Sequence, residues 1–340
     1  MKKNKFPLVS VIIVNWNGGV VFGDCLKHLS LISYPTWELI VVDNGSTDDS
    51  LKYLRDYKNL RRIVSNKKNM GFAGGNNLGY KYAKGDYVLL LNNDTKVSRE
   101  FLTKMVEKME SDQMIGVLQP KIEIMDLRGY LDNCGSYLTW SGFLQHWGYM
   151  SKDGLEFEKE ADVFSTKGAC MLIRKEIIEK VGLFDDDFGS YFEESDFCWR
   201  VWLSGKKVRY FPDVKIYHKV GFTSKKMDQV RVNLVSSRNR ITSLIKNLGL
   251  LSLIWMLPIH LTLVMLLGFY YLVKLSPRKS WMMFGAIWEN LIRFPVSIKK
   301  RNMIQRKRQV SDKELFSIIM KPFSLKEMLR HFLKVEKNFE

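Results

Sequence analysis

Acidic residues are in short supply in this 340-residue chain: 36 Asp and Glu stand against 53 Lys and Arg, a formal net charge of +17. The deficit favours anionic partners in general, whether nucleic acid, anionic lipid or phosphorylated small molecules, and does not choose among them. Proline is rare at 8 residues, and the 23 glycines follow no short period, which excludes collagen-like and low-complexity classes. The four cysteines, at positions 25, 134, 170 and 198, form no Cys-x-x-Cys pair. Neither a zinc cluster nor a small disulfide scaffold is expected, and a reducing, cytoplasmic setting is the simplest reading. The front of the chain lacks a long apolar run, because Val9 to Val14 is too short for a signal segment, so export is not expected. Basic residues interleaved with aromatics on a recognition element are also missing, so nucleic acid is not an expected partner.

Apolar residues make up 46% of the chain, ample for a core. In the first hundred residues, short apolar runs alternate with helix-like stretches: Val9 to Val14, Leu39 to Val42, Arg62 to Ser65 and Tyr87 to Leu91. Runs apolar on both faces, joined by helix-length connections, read as buried parallel strands in an α/β sheet with flanking helices. Ligands of such sheets bind beyond the carboxyl ends of the strands. There this chain carries Asn15-Trp-Asn-Gly18, Asp43-Asn-Gly-Ser-Thr-Asp48 and Asn92-Asn-Asp-Thr95. Phe101, Leu102, Met105, Val106 and Met109 predict one buried helix face between Ser98 and Glu110. From Met114 to Glu160 the pattern reads as loops and short strands, whose aromatic residues serve either the core or an acceptor groove. Further helices are expected over Lys175 to Val181 and from about Glu194 to Leu203, closed by Gly205.

From Asn247 to Val273 no charged residue occurs, and as a helix this stretch would be about 40 Å long, enough to cross hydrocarbon. Pro258 and His260 lie near its middle and cations flank both ends. A second apolar stretch, Trp281 to Ile298, is interrupted by Glu289 and Arg293 and suits an interface. The expected organisation is a catalytic domain over 1–240, an apolar helical membrane anchor over 241–300 (spanning, re-entrant or in-plane) and a basic tail over 301–340 facing an anionic membrane surface. A buried core helix followed by a solvated basic tail is the alternative.

Four segments, Val11-Ile-Ile-Val-Asn-Trp-Asn-Gly18, Val41-Val-Asp-Asn-Gly-Ser-Thr-Asp-Asp49, Asn69-Met-Gly-Phe-Ala-Gly-Gly-Asn-Asn77 and Leu89-Leu-Leu-Asn-Asn-Asp-Thr95, occur in order. Lys167-Gly-Ala-Cys170 and Glu193-Glu-Ser-Asp196 follow them. Together they resemble family 2 glycosyltransferases of the GT-A fold over about residues 7 to 240. Within that family the likeness is greatest to rhamnosyltransferase-type members that assemble surface polysaccharide.

The resemblance implies a nucleotide-sugar donor, a lipid-linked or polysaccharide acceptor, and work at the cytoplasmic face of the cell membrane. Asp43 would contact the nucleoside, unless it only caps the following turn. Asn15, Asn17, Asn69 and Asn93 would add polar contacts. Gly74, Gly75 and Asn76 would let the backbone approach the ligand closely. Asp94 would hold a divalent cation, Mn²⁺ or Mg²⁺, although the family's usual first metal acid is here an amide, Asn92. Within Tyr217-His218-Lys-Val-Gly-Phe-Thr-Ser224, His218 is a candidate second ligand. Glu194 matches the usual base of inverting transfer, with Glu193 and Asp196 holding the acceptor or orienting neighbours. Arg238, in Arg238-Asn-Arg240, would meet either the diphosphate or lipid headgroups. The expected activity is inverting hexosyl transfer, rhamnosyl transfer included. A catalytically silent, sugar-nucleotide-binding subunit of a membrane assembly complex is the competing expectation, prompted by Asn92.

Overall fold

The computed structural model describes residues 6–55, 57–222 and 227–321. The chain divides into two compact units: residues up to 136 with 146–222, and residues 137–145 with 223 onward. In chain order the first part comprises β1 (Val9–Asn15), α1 (Gly19–Leu29), β2 (Trp37–Asp43), β3 (Leu60–Ser65), α2 (Gly71–Tyr80), β4 (Tyr87–Leu91) and β5 (Thr95–Lys96). There follow α3 (Phe101–Ser111), β6 (Ile115–Ile124), β7 (Leu131–Asn133), β8 (Ser136–Leu138), β9 (Leu144–His146) and β10 (Ala161–Asp162). The series closes with β11 (Cys170–Arg174), α4 (Lys175–Val181), α5 (Glu193–Leu203) and β12 (Lys207–His218).

One mixed sheet runs β10-β12-β6-β11-β4-β1-β2-β3, with β5 on β12 and β7 on β6, while β8 and β9 pair separately. Strands β1, β2, β3 and β4 are parallel, and β11 runs antiparallel to β4 and β6. The apolar runs become strands because a strand covered on both faces can bury every side chain, and β2, β4 and β11 are buried along their whole length. α3 buries the five residues its spacing predicts.

The stretch expected to hold loops and short strands contains a ten-residue, fully buried strand, β6. Its polar residues hide it from a search for apolar runs. Gln119 donates to the Asn133 side chain at 3.1 Å, and the buried Lys121 ammonium binds Asp153 at 2.8 Å and also Glu158. Pro120 lies opposite Phe211 where the β12 register slips, a position that tolerates a missing ladder donor.

The second unit carries α6 (Gln229–Asn247), α7 (Leu250–Val273), α8 (Pro277–Ile292), α9 (Phe294–Arg306) and α10 (Asp312–Ile319). The units divide near residue 222 rather than 240, because α6 is continuous and packs against α8 and α9. Polar ties hold that packing: Arg238 to Glu289 at 3.2 Å, Thr242 to Asn290 at 2.7 Å, and Gln305 to the Lys246 and Asn247 carbonyls at 3.0 Å. The Trp281 to Ile298 stretch forms α8 and the start of α9, with Glu289 neutralised by Arg238 inside the bundle. The basic segment after 300 holds the end of α9 and, after a break over 307–311, α10, whose start Ser311 and Glu314 close with a capping box. Its remainder, 322–340, lies outside the described residues, as do Thr223 and Ser224.

Among the described residues α7 alone is long and apolar enough to cross a membrane, with a mean hydropathy of 2.2 and 22% of its apolar window buried. Its buried stripe, Ser252, Met256, His260, Val264, Gly268 and Tyr271, includes small and polar residues, whereas Leu251, Ile254, Trp255, Leu266 and Phe269 are exposed. That inversion is opposite to a core helix.

Candidate functional site

Topology gathers the polar segments at one sheet edge. β1 and β2 run parallel with Asn15 opposite Asp43, and β4 runs parallel to β1, so the segments after all three emerge together. β11 is antiparallel to β4 with Cys170 opposite Leu91, which brings Lys167 to the same edge. β12 ends with His218 opposite Thr95 of β5, placing the histidine beside Asp94.

The first three loops are knitted by a buried amide and hydroxyl network. Asn15 donates to Ser50 Oγ at 2.8 Å and to Ser46 Oγ at 3.1 Å, and accepts from Asn93 Nδ2 at 2.9 Å. Asn17, in the left-handed region, accepts from Thr47 N at 2.7 Å. Asp43 accepts from Ser46 N at 3.3 Å, so it does close the turn after β2, and Asp48 caps the short helix that follows. Asn44 binds Asn66, Asn69 and the Gly71 carbonyl, tying β2 to the start of α2. Asn15 and Asn93 thus bind each other in the interior, and their amides shape the loops rather than lie open beside a ligand.

The glycines of α2 serve packing. A Cβ at Gly75 would fall 2.7 Å from Val14, so its absence lets α2 press onto β1, and Asn76 is buried with its amide donating to Phe72 O. Gly74, Gly75 and Asn76 therefore meet protein where ligand was expected. The first amides of α2 are also taken: Phe72 N donates to Ser190 Oγ at 3.0 Å and Ala73 N to Gly189 O at 2.8 Å. These bonds anchor the loop that leads into α5.

Asp94 is 4% exposed, its Oδ1 is buried with no hydrogen-bond partner, and that oxygen lies 3.3 Å from His218 Nε2. The other ring nitrogen, Nδ1, lies 2.8 Å from Asp132 Oδ2, and Lys167 Nζ donates to Asp132 Oδ1 at 2.8 Å. Burial opposes a charge on His218, but Asp94 and Asp132 outweigh it and push its pKa up to about 9. Burial likewise opposes the charge on Asp132, yet Lys167 and His218 hold it well below the ordinary carboxylate range. His218 thus stands charged between two carboxylates, and a divalent cation held by Asp94 and His218 Nε2 would have to displace the ring proton. The residues present fit a divalent cation through these two ligands. Among the described residues no cluster of three or more His, Cys, Asp or Glu could hold a metal. The remaining ligands of a hard cation would come from diphosphate and water.

At the start of α5, Tyr191 and Phe192 both adopt left-handed backbone, at φ 69° and 72°. Such conformations cost of order 1–3 kcal/mol each for non-glycine residues and collect where a side chain must be aimed. Directly after them come Glu193 and Glu194, each with a buried Oε2 that has no hydrogen-bond partner. Burial raises both pKa values, Glu193's well up, with the neighbouring Glu194 charge adding to that rise, while Lys167 draws Glu194 back. Asp196 does not join them: fully buried, it pairs with Arg200 at 3.1 Å, whose guanidinium also binds the Val181 and Gly182 carbonyls. That pairing ties α5 to the end of α4.

Arg238 belongs to the helical unit, where its guanidinium binds Glu289 and Asn239 Oδ1. Two site residues escaped the sequence reading. Lys167 stood in a recognised element without a role, and Asp132 sits in the stretch whose strands were not foreseen.

The sequence model of glycosyl transferase family 2 matches residues 10–182. A low-salt glycan biosynthesis hexosyltransferase, Agl10 of Haloferax volcanii, is 26% identical over 196 residues, covering 56% of this chain and 61% of that protein. Glycosyltransferase GlyG of Streptococcus pneumoniae is 30% identical over 115 residues, 32% of this chain and 38% of its own length. The chain thus spans less than two thirds of the length of these relatives. In fold it is similar to Staphylococcus aureus TarS 1-349, solved with UDP-GlcNAc, at a TM-score of 0.57 and 17% identity over 82% of this chain and 79% of that one. It is also similar to the mannosyltransferase PcManGT of Pyrobaculum calidifontis, solved with GDP-Man and Mn²⁺, at 0.53 and 16% over 85% and 88%. The mixed sheet with flanking helices is the GT-A fold of these structures. With half of its length matched by the family model and the sheet-edge acids in place, the chain belongs to glycosyl transferase family 2.

Proposed function

We propose that this protein is an inverting hexosyltransferase, which moves a sugar from a nucleoside-diphosphate donor to a hydroxyl of a lipid-linked or polysaccharide acceptor in surface-glycan synthesis. The observation that carries the reading is the pair of buried carboxyl groups at the start of α5, each with a partnerless Oε2, on the same unit as the Asp94 and His218 pair. Glu194 accepts the proton of the acceptor hydroxyl as that oxygen bonds to the anomeric carbon. The bond from that carbon to the diphosphate breaks on the opposite face, and the nucleoside diphosphate leaves. Asp43 and Asn17, at the ends of β2 and β1, are the candidates for nucleoside contact, with Asn69 beside them. Asp94 and His218 would hold Mn²⁺ or Mg²⁺, which supplies charge neutralisation for the departing diphosphate.

The helical unit supports work at the cytoplasmic face of the membrane. Between 227 and 321 it has sixteen Lys and Arg against four Asp and Glu, and α7 exposes its most apolar residues. In-plane seating is the placement we favour. Spanning would draw α6, packed on α8 with Arg238 and Lys246, toward hydrocarbon, at about 2.5–3.5 kcal/mol per cation at the bilayer centre. Lying along the interface instead buries Trp255, Trp281 and Trp288 among acyl chains and leaves the cations to anionic headgroups.

The test is transfer from UDP-, dTDP- and GDP-sugars to a lipid-linked acceptor, with the anomeric configuration of the product read by NMR. Inversion by the wild type and its loss in Glu194→Gln support the reading. Retention of configuration removes it, and donor binding without transfer to any acceptor favours the silent-subunit alternative.

A further inference from the structure

The helical unit gathers the charge of its apolar stretch at one point. Between residues 247 and 288 there is no Asp or Glu, and the only Lys and Arg are Lys274, Arg278 and Lys279. All three stand at the turn from α7, which ends at Val273, to α8, which begins at Pro277. Hydrogen bonds fix the turn: Lys274 N donates to Tyr270 O at 3.0 Å, Leu275 N to Leu272 O at 3.0 Å, and Ser276 N to Tyr271 O at 2.9 Å. Beneath it, Tyr271 is buried in one cluster with Val264, Met282 and Met283. Leu275 is held in left-handed backbone, at φ 53°, a conformation that is uncommon for a bulky residue and collects at functional segments. No cover is gained in return, because Leu275 is 89% exposed, close to Val273 at 82% and Trp281 at 71%. Lys274 Nζ lies 5.9 Å from the centre of the Tyr270 ring and Lys279 Nζ 5.6 Å from that of Tyr271. Each ammonium leans on an amphipathic ring, a pairing suited to the boundary between acyl chains and headgroups.

We propose that the α7–α8 turn is a lipid-docking wedge, whose Val273, Leu275 and Trp281 side chains enter a bilayer while Lys274, Arg278 and Lys279 bind the phosphates of anionic headgroups. The inference rests on the membrane placement proposed above and deepens it, naming the segment that enters and the lipid it selects. Exposed apolar side chains rimmed by charge mark interaction sites, and a rim of cations alone selects an anionic partner. A second copy of the chain brings the same three cations, so pairing of two turns meets like-charge repulsion.

The experiment adds the full chain to preformed vesicles of phosphatidylcholine, alone or with phosphatidylglycerol. All four native cysteines are buried, so a nitroxide attached in Leu275→Cys marks the turn alone. EPR compares its collisions with oxygen, which concentrates in hydrocarbon, and with a water-soluble nickel complex. On anionic vesicles the label is expected to gain oxygen contact and lose nickel contact, about 5–10 Å into the boundary of headgroups and acyl chains. A label in Leu155→Cys, a leucine equally exposed on the catalytic unit, is expected to keep its nickel contact. Lys274→Gln, Arg278→Gln and Lys279→Gln together are expected to weaken binding to anionic vesicles by about 100-fold, about fivefold per cation. Binding to neutral vesicles should stay within about twofold, and inorganic phosphate at the lipid's concentration should release no protein. Circular dichroism checks each fold, and the label decides by itself should the triple variant not fold. A turn label that stays in water on bound protein overturns the assignment, as does an equal gain at Leu155, unchanged anionic binding in a folded triple variant, or release by phosphate. A label shielded from both relaxants before vesicles are added reports a second copy over the turn and overturns it too. A wild type that binds neither vesicle overturns instead the membrane placement on which the inference rests.

Discussion

Gly71, the first residue of α2, is the most constrained backbone position near the acid pair. It sits at φ +74°, and a Cβ there would lie 2.6 Å from the Gly189 carbonyl carbon and closer still to its oxygen. Gly71→Ala therefore meets two penalties: about 1–2 kcal/mol for left-handed backbone, and about 1–3 kcal/mol for displacing packed backbone. Gly129 separates them, because it has almost the same φ of +75° with nothing within 4 Å of the added carbon. Gly154 supplies the baseline, with an extended φ of −163° and open space. The expected order of destabilisation in urea titrations is Gly71→Ala at about 2–5 kcal/mol, Gly129→Ala at about 1–2 kcal/mol, and Gly154→Ala near zero or slightly stabilising. In a unit of this size each kcal/mol moves the melting temperature by about 2–4 °C. Gly71→Ala should also lower kcat, since Gly189 starts the turn that aims Glu193 and Glu194. Equal losses for Gly71→Ala and Gly129→Ala would refute the close approach of α2 to the loop before α5.

Three further outcomes are expected. Glu194→Gln should retain donor affinity while kcat falls by about 10²–10⁴, the range for losing a general base; isothermal titration and initial rates check the split. Glu193, whose pKa is raised by burial and by Glu194, favours the folded state when protonated, so its contribution is present at low pH and lost as pH rises from the ordinary glutamate value through the raised one. Glu193→Gln should accordingly match the wild type at low pH and melt higher at neutral pH, as calorimetry across pH would record. The chain should sediment with vesicles containing anionic lipid and release only partly at high salt, whereas Trp255→Ser with Trp281→Ser and Trp288→Ser should release it more fully.

The parallel half of the sheet was legible because β1, β2 and β4 bury both faces and must be apolar throughout. β6 and β12 were not, since their buried polar groups find partners that only the folded chain supplies, such as Asp153 and Glu158 for Lys121. In the site, Asp94, Glu193, Glu194 and His218 were named from motif positions, but their conjunction was not readable. The pairing of β5 with β12 joins residues 94 and 218, and β7 delivers Asp132 from a stretch with no motif. A small residue allows close approach without saying what approaches: at Gly75 it is Val14 of the sheet, and at Gly74 the Met70 side chain. Asp196 looked catalytic by position, while its partner Arg200, one helical turn on, marks it as structural.

The most direct test of the account is thermal unfolding of wild type and Asp94→Asn with UDP, dTDP or GDP, each in Mn²⁺ or in EDTA. A nucleotide at about 100 times its dissociation constant adds about 2.7 kcal/mol of stability. The account predicts that shift for one nucleotide in the wild type with Mn²⁺, and its loss in EDTA and in Asp94→Asn. No shift with any nucleotide, or an equal shift in the variant and in EDTA, would contradict a donor site built on Asp94 and His218.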